Sequence, residues 1–160
     1  NVTKGSILID GIDLNTLREL TNEEFQKFSK DYSTTSIYQT YEYGLVMNKQ
    51  KYETMFLGLC DNQTVIAASL ILIEKLGTFK YAYAPRGFLI DYTNKELLNT
   101  FTEEIKKYLK KINVIAIKIC PEIFKSKYDP KLNITLANPN YEELFQNLTE
   151  LIKIFSNFFF

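Results

Sequence analysis

The sequence has no histidine and no tryptophan among its 160 residues. Without an imidazole, the chain cannot form the Ser–His or Cys–His pairs that activate many enzyme nucleophiles, and it lacks a common metal ligand. Its two cysteines, Cys60 and Cys120, lie in separate apolar segments, so there is no Cys-x-x-Cys motif. We therefore expect both to be small buried side chains, and we expect no metal site.

An excess of charge is also lacking. The 19 lysines and arginines balance the 19 aspartates and glutamates, which argues against DNA binding because a DNA-binding surface needs an excess of basic residues. No apolar run approaches the roughly 18 residues that cross a membrane. No basic segment followed by an apolar one marks a secretory signal. These absences lead us to expect a cytoplasmic protein without a transmembrane segment.

The middle of the chain has the composition of a β-sheet. Segments 54–61, 64–74 and 79–84 are apolar, and short polar turns join them, which predicts an antiparallel meander. Alternation in the first two segments predicts that one face of this sheet is buried. The residues predicted to form that face are Leu57, Leu59, Ile66, Ala68, Leu70 and Leu72.

Along the chain, helices are predicted before and after the meander. Thr21 followed by Glu24 has the form of a capping box and predicts a helix that ends near Tyr32. A short helix is predicted at 40–48. In segment 94–111, apolar residues recur every three or four positions, which makes it the clearest helix of the chain.

The order of the elements predicts an α+β fold with a mixed, mainly antiparallel sheet flanked by helices. Segment 114–119 is predicted to be a strand, 124–138 a loop with a short strand at 134–136, and 140–154 a helix. We expect residues 1–16 to be an N-terminal extension or an edge strand and residues 17–160 to form one domain. The aromatic tail at 158–160 suggests either a strand that begins there or a truncation.

Three short motifs carry the most specific information. Residues 36–44 read SIYQTYEYG, residues 80–91 read KYAYAPRGFLID, and residues 116–122 read AIKICPE. In this order and spacing they resemble the FemABX family of peptidoglycan-bridge aminoacyltransferases. The resemblance extends from about residue 17 to residue 122, roughly two thirds of the chain.

The resemblance implies a GNAT-like acyltransferase domain, the first of two, incomplete at its C-terminus and lacking the second domain. It implies transfer of an amino acid from aminoacyl-tRNA, the co-substrate, to the stem-peptide amine of a UDP- or lipid-linked peptidoglycan precursor. The first domain would hold the precursor, and the catalytic residues would lie in the missing domain. No cofactor is implied, and membrane contact would be peripheral, through the lipid-linked precursor. The chain alone would be inactive.

Arg86 is the first candidate for precursor binding. Pro85 fixes its own φ, and Gly87 tolerates a positive φ or the close approach of a ligand. A guanidinium in such a turn can bind a phosphate or carboxylate with two parallel hydrogen bonds. The alternative is a purely structural turn in which Arg86 pairs with a surface carboxylate such as Asp91.

The other candidates come from the same motifs. Tyr83 would offer its ring or hydroxyl to a sugar or base, whereas Tyr81 is expected to face the core. The resemblance places a lysine at the position of Met47, so Lys49 or Lys51 would have to replace its contact with phosphate. The full set of predicted substrate-binding residues is Arg86, Tyr83, Gly87, Gln39, Tyr43 and Lys49.

Two other functions compete with aminoacyl transfer. One is an acetyl-CoA-dependent N-acetyltransferase, although the basic-x-x-Gly-x-Gly/Ala loop expected for pyrophosphate is missing. The other is a non-catalytic remnant or binding domain. Aminoacyl transfer suits a chain without histidine, because the precursor's amine attacks an activated ester and the protein need only position and stabilise the reactants.

Overall fold

A five-stranded sheet forms the centre of the fold in the computed structural model, which describes residues 8–9, 12–13, 16–32 and 36–156. A short hairpin of β1 (Leu8–Ile9) and β2 (Ile12–Asp13) precedes this sheet. The strands of the central sheet, in spatial order, are β3 (Thr16–Glu19), β4 (Glu53–Asp61), β5 (Thr64–Leu76), β6 (Phe79–Ala84) and β7 (Val114–Ile119).

Only β6 and β7 run parallel, and the other neighbours are antiparallel. The predicted α+β fold with a mainly antiparallel sheet is therefore confirmed, as is the β4–β5–β6 meander. No strand is predicted from the sequence at β3, because half of its four residues are charged. The boundary that we expected between residues 16 and 17 falls within this strand, and the division into domains stays a prediction.

The four α-helices of the described residues lie where the sequence predicts helices, and a 3-10 turn that the sequence does not predict precedes the second of them. They are α1 (Asn22–Asp31), a single 3-10 turn (Ile37–Gln39), α2 (Tyr41–Lys49), α3 (Lys95–Lys111) and α4 (Tyr141–Ser156). The capping box of α1 is present, since the amide of Glu24 donates to Thr21 Oγ1 and the Glu24 carboxylate accepts from the amide of Thr21. The short strand predicted at 134–136 is confirmed as β9 (Ile134–Ala137), but the preceding segment also contains a strand, β8 (Ser126–Tyr128), and the two form a separate two-stranded sheet. The aromatic tail at 158–160 lies outside the described residues.

Helices cover both faces of the central sheet, so apolar side chains of β4 and β5 are buried on both sides. Leu57 and Leu59 pack with α3 and α4, whereas Leu70 and Leu72 pack on the other face with α1 and α2. The prediction of a single buried face is therefore wrong. Its cause is a β-bulge at Leu59, which shifts the register by one residue, and such a shift turns the side chains of one strand to the opposite face.

The expectation of two buried cysteines is only half correct. Cys60 is buried in the core beneath α1, but Cys120 is partly exposed, and both are free thiols. Cys120 directly follows the last residue of β7, which is an edge strand of the described sheet, so one side of it remains uncovered.

An ion pair joins the edge strand β3 to the start of α1. The guanidinium of Arg18 donates to both carboxylate oxygens of Glu24, at 2.9 and 2.6 Å. The hydrogen bonds from Arg18, together with the one from the amide of Thr21, lower the pKa of Glu24 to about 2.

This geometry predicts the pH dependence of stability at one carboxylate. Because the pKa of Glu24 is lower in the folded state, its ionised form stabilises the fold above its ordinary pKa of about 4.3, and this contribution disappears as the pH falls towards 2. Glu24→Gln should therefore lower the free energy of unfolding at neutral pH, and the difference should shrink in acid. Denaturant titrations at several pH values measure it. Glu23→Gln, one residue away, controls for the lost charge, and a pH-independent difference for Glu24→Gln would contradict the prediction.

Candidate functional site

A tight turn after β6 carries Arg86. The amide of Gly87 donates to the carbonyl of Ala84 at 3.2 Å, Pro85 is the second residue of the turn, and Arg86 is the third, with a φ of 60°. Turns of this form favour glycine or asparagine at the third position. A larger side chain in the left-handed region costs about 1–2 kcal/mol, so the fold retains arginine at a strained backbone position.

The side chain of Gln39 holds this turn from beneath. It is 1% exposed, and its Nε2 donates to the carbonyl of Pro85 at 2.7 Å and to the carbonyl of Leu70 at 3.2 Å. Its Oε1 accepts from the amide of Leu70 at 2.7 Å. One buried amide therefore connects the 3-10 turn, the middle of β5 and the turn that carries Arg86.

The position of Leu70 explains why a side-chain amide is needed. On the side of β5 that faces β6, Leu72 pairs with Tyr83, and Ala68 forms a bridge with Leu89. Between these two pairs the chain leaves the sheet to make the Arg86 turn, so no backbone faces Leu70. Gln39 supplies the missing acceptor for the Leu70 amide, and it donates to the Leu70 carbonyl together with the Ser69 hydroxyl. This section of β5 therefore remains hydrogen-bonded although it is buried.

A second support lies behind the turn. The hydroxyl of Tyr92 accepts a hydrogen bond from the amide of Phe88 at 2.6 Å, and Asn147 of α4 donates to the carbonyl of Tyr92 at 2.9 Å. Burial raises the pKa of the Tyr92 hydroxyl well above its ordinary value. A Cβ atom at Gly87 would lie against the Tyr92 hydroxyl and 2.9 Å from Cα of Pro121. Only glycine fits at this position.

The guanidinium of Arg86 lies between an aromatic ring and a carboxylate. Its Nη1 is 3.0 Å from Oε1 of Glu122, and its Cζ is 5.2 Å from the ring centroid of Tyr38. The Tyr38 ring meets Tyr43 edge-on at 5.1 Å. Arg86 thus pairs with a surface carboxylate, as the structural alternative expects, but the partner is Glu122 and not Asp91. The Asp91 carboxylate accepts hydrogen bonds from Thr93, which hold its pKa below the usual range.

Arg86 borders a cleft of about 510 Å³. Phe88, Leu89 and Ile90 provide apolar walls, and the side chains of Arg86 and Glu122 are 46% and 53% exposed. The cleft thus joins an apolar surface to a cation that remains open to solvent, an arrangement that can bind an anionic group attached to a larger organic body.

Comparison with known proteins places the chain in a family. The model of the FemAB family matches residues 20–156. The chain belongs to the FemAB family. The resemblance to that family in the three motifs is thereby confirmed.

Individual relatives match part of their own length. The aminoacyltransferase FemA of Staphylococcus epidermidis is 34% identical over 91 residues, which are 57% of this chain and 22% of FemA. FemA of Staphylococcus aureus is 33% identical over 104 residues, which are 64% of this chain and 25% of FemA. This FemAB-family chain thus spans about a quarter of the curated relatives that it matches.

A solved structure shows the same fold. The crystal structure of FemX aligns with a TM-score of 0.66 and 22% identity over 85% of this chain and 31% of the FemX chain. The FemAB-family chain therefore shares its mixed sheet and flanking helices with FemX. The more specific assignment to a GNAT-like domain stays a prediction.

The two tyrosines of β6 differ from the expectation. Tyr81 is 39% exposed, so the prediction that it faces the core is wrong, and Ala82 and Ala84 point into that core instead. Tyr83 packs against the core on the opposite face, where burial, together with nearby Cys120, raises the pKa of its hydroxyl. Strand alternation places Tyr81 and Tyr83 on one side of β6, but Tyr83 packs against a buried cluster on that side whereas Tyr81 is exposed.

Helix α2 carries the remaining predicted residues. Tyr43 is partly buried beside Tyr38, and burial raises the pKa of its hydroxyl. Met47 packs against the core beneath α2, and Lys49 is exposed on the last turn of the helix, outside the Arg86 cleft. Of the predicted set, Arg86 and Gln39 line the cleft and Gly87 forms its turn. Tyr43 contacts Tyr38, and neither Tyr43 nor Tyr83 lines the cleft.

Tyr38 and Glu122 are the two residues that sequence reasoning missed. Both lie within the motifs, one beside Gln39 and the other at the end of AIKICPE. The motifs gave a signal, but contact with Arg86 requires the 3-10 turn and the end of β7 to meet in space.

In the described part of the chain, no three potential metal-ligating side chains are arranged to hold an ion. Across the same residues, no helix is long and apolar enough to span a bilayer.

The buried amide of Gln39 can be tested by its removal. Gln39→Leu keeps the volume but leaves the amide of Leu70 and the carbonyl of Pro85 without a partner, and it leaves the carbonyl of Leu70 with only the Ser69 hydroxyl. We expect a loss of about 2–4 kcal/mol in the free energy of unfolding, measured by chemical denaturation. Gln146→Leu, on the exposed face of α4, is the matched control. A cost below about 1 kcal/mol for Gln39→Leu would contradict the role of this amide.

A pair of glycine variants separates strain from contact. Gly77 and Gly87 have φ values of 63° and 81°, but a Cβ at Gly77 would meet nothing within 4 Å. Gly77→Ala should therefore cost about 1 kcal/mol for its backbone alone. Gly87→Ala should cost about 2–4 kcal/mol because the contact with Tyr92 and Pro121 is added. Equal losses in thermal or chemical denaturation would mean that the Gly87 turn is not packed as described.

Proposed function

We propose that this chain is the precursor-holding part of an aminoacyltransferase that builds peptidoglycan bridges. Membership of the FemAB family and the aminoacyltransferases among its relatives support the reaction class. The observation that carries the proposal is the Arg86 turn, which holds a solvent-open guanidinium at the edge of a cleft in spite of its backbone strain. Backbone strain of this kind persists only where the surrounding structure fixes the residue, and it is concentrated at active sites and ligand-binding sites.

The ligand that suits this turn is a phosphate or a carboxylate of the precursor. The Arg86–Glu122 pair is about half exposed, and exposed pairs contribute about 0–1 kcal/mol. An anionic ligand can therefore replace Glu122 at small cost and form two parallel hydrogen bonds with the guanidinium. Tyr38 would keep the guanidinium plane in place through its ring.

The other predicted residues take supporting positions in this proposal. Gln39 and Gly87 shape the turn, and Tyr43 and Tyr83 would border a sugar or base that extends towards α2. Lys49 would meet only a part of the precursor that passes beyond the cleft.

The reaction itself needs no cofactor in this proposal. The stem-peptide amine of a UDP- or lipid-linked precursor attacks the aminoacyl ester of tRNA, and the tRNA hydroxyl leaves. The protein positions the reactants and stabilises the charge that develops. Catalytic groups would come from sequence beyond this chain, and the reaction would take place in the cytoplasm, where aminoacyl-tRNA is formed.

The proposal predicts the effect of removing one guanidinium. Arg86→Ala should weaken binding of the UDP-linked precursor about 10- to 100-fold, because a charge-assisted hydrogen bond is lost, and calorimetry measures the affinity. Arg86→Gly should bind as weakly but be more stable than Arg86→Ala by about 1 kcal/mol, since glycine relieves the left-handed φ. Affinity that is unchanged in both variants would contradict the site.

Arg18→Ala is the matched control. Arg18 is the only other arginine of the chain, it is similarly exposed and ion-paired, and its strand lies three strand spacings from β6, about 14 Å. It should leave precursor affinity unchanged. Binding of acetyl-CoA in place of the precursor, detected as a thermal shift, would favour the acetyltransferase alternative.

A further inference from the structure

The β8–β9 hairpin exposes apolar side chains that the fold does not cover. Among the described strands, its two strands pair only with each other. Asn138 closes the base of the hairpin through hydrogen bonds to the carbonyls of Phe124 and Lys125. Both strands are exposed on both faces. The large apolar residues exposed on residues 124–137 are Phe124, Tyr128, Leu132, Ile134 and Leu136.

Hydrogen bonds close the tip of this hairpin, which presents a leucine. One carboxylate oxygen of Asp129 accepts from the amides of Lys131 and Asn133, at 2.9 and 2.8 Å, and the other accepts from the side-chain amide of Asn133. Leu132 is 81% exposed and has a φ of 66°. A leucine here lowers the stability of the fold in two ways, because its backbone is left-handed and its apolar side chain is exposed to water.

Basic side chains are interspersed with these apolar ones. Three lysines and one aspartate lie on residues 124–137, and Asp129 is held within the tip by its hydrogen bonds. Lys127 stacks over Phe124 at 4.8 Å, whereas Lys125 lies near Glu142 at the base. Within the described residues, Lys127 and Lys131 form no ion pair, so their charges remain available to an anionic partner.

We propose that the β8–β9 hairpin docks this chain on an anionic lipid bilayer. The side chains of Leu132, Tyr128 and Ile134 enter the boundary between headgroups and acyl chains, while Lys127 and Lys131 contact lipid phosphates. A flat protein surface would cover one face of a two-stranded hairpin, but both faces carry exposed apolar groups. Insertion into a bilayer interface surrounds both faces at once, which is why a membrane fits better than a protein groove.

The inference concerns a surface separate from the Arg86 cleft and goes beyond the proposed function. Vesicles without any precursor test it, so its failure would leave precursor binding untouched. The full chain is sedimented with vesicles of phosphatidylcholine alone or of phosphatidylcholine with phosphatidylglycerol. We expect binding to the anionic vesicles and much weaker binding to the neutral ones.

Two variants locate the contact. Leu132→Asn should reduce binding about tenfold without unfolding the tip, because asparagine tolerates the left-handed φ. Lys127→Gln with Lys131→Gln should reduce binding to anionic vesicles about 30-fold. The matched controls are Leu76→Asn, an exposed leucine beside the Gly77 turn, and Lys30→Gln with Lys75→Gln, two exposed lysines elsewhere. Both controls should bind like the unsubstituted chain.

Three outcomes would overturn the proposal. The first is no binding to anionic vesicles, and the second is binding that neither hairpin variant reduces. The third is self-association in the absence of lipid that Leu132→Asn abolishes, seen in sedimentation velocity, which would assign the hairpin to a second copy of the chain.

Discussion

The amide of Gln39 occupies the gap that the Arg86 turn leaves in the sheet, and the candidate site depends on it. Where the chain departs from β6, the buried amide of Leu70 would have no hydrogen-bonding partner without Gln39, and its carbonyl would keep only the Ser69 hydroxyl. An unpaired buried amide costs about 2–7 kcal/mol. Gln39 satisfies Leu70 and the carbonyl of Pro85 together. The excursion that presents Arg86 is therefore compatible with a well-ordered core.

This arrangement separates the groups that support the site from those that can contact a ligand. Gln39 and Gly87 are buried, Tyr92 is partly buried, and all three fix the backbone. Arg86 and Tyr38, in contrast, are open to solvent. Strain at Arg86 is tolerated because Gln39 and Tyr92 hold the backbone of the turn by hydrogen bonds. A guanidinium held in this way loses little conformational freedom when an anion binds, which favours affinity.

In the β8–β9 hairpin, too, one side chain fixes the backbone while another is exposed to solvent. Asp129 uses its whole carboxylate to fix the tip, and the fixed tip carries an apolar residue outwards. Together with the cleft, this gives the chain two exposed features that its own core does not require, one of them polar and the other mainly apolar.

The sequence by itself determined the elements with strong local signals: the capped α1, the periodic α3, the meander and the Pro-Arg-Gly turn. Its three motifs also identified the family and two of the residues that line the cleft, Arg86 and Gln39. The tertiary structure decided which faces of the strands meet, because a single bulge at Leu59 reverses an alternation that looks unambiguous along the chain. It also decided that Glu122 rather than Asp91 meets Arg86, since the partner of a long side chain depends on how distant segments pack. Local pattern fixes what a segment becomes, whereas register and contact are set only when segments from distant parts of the chain are packed together.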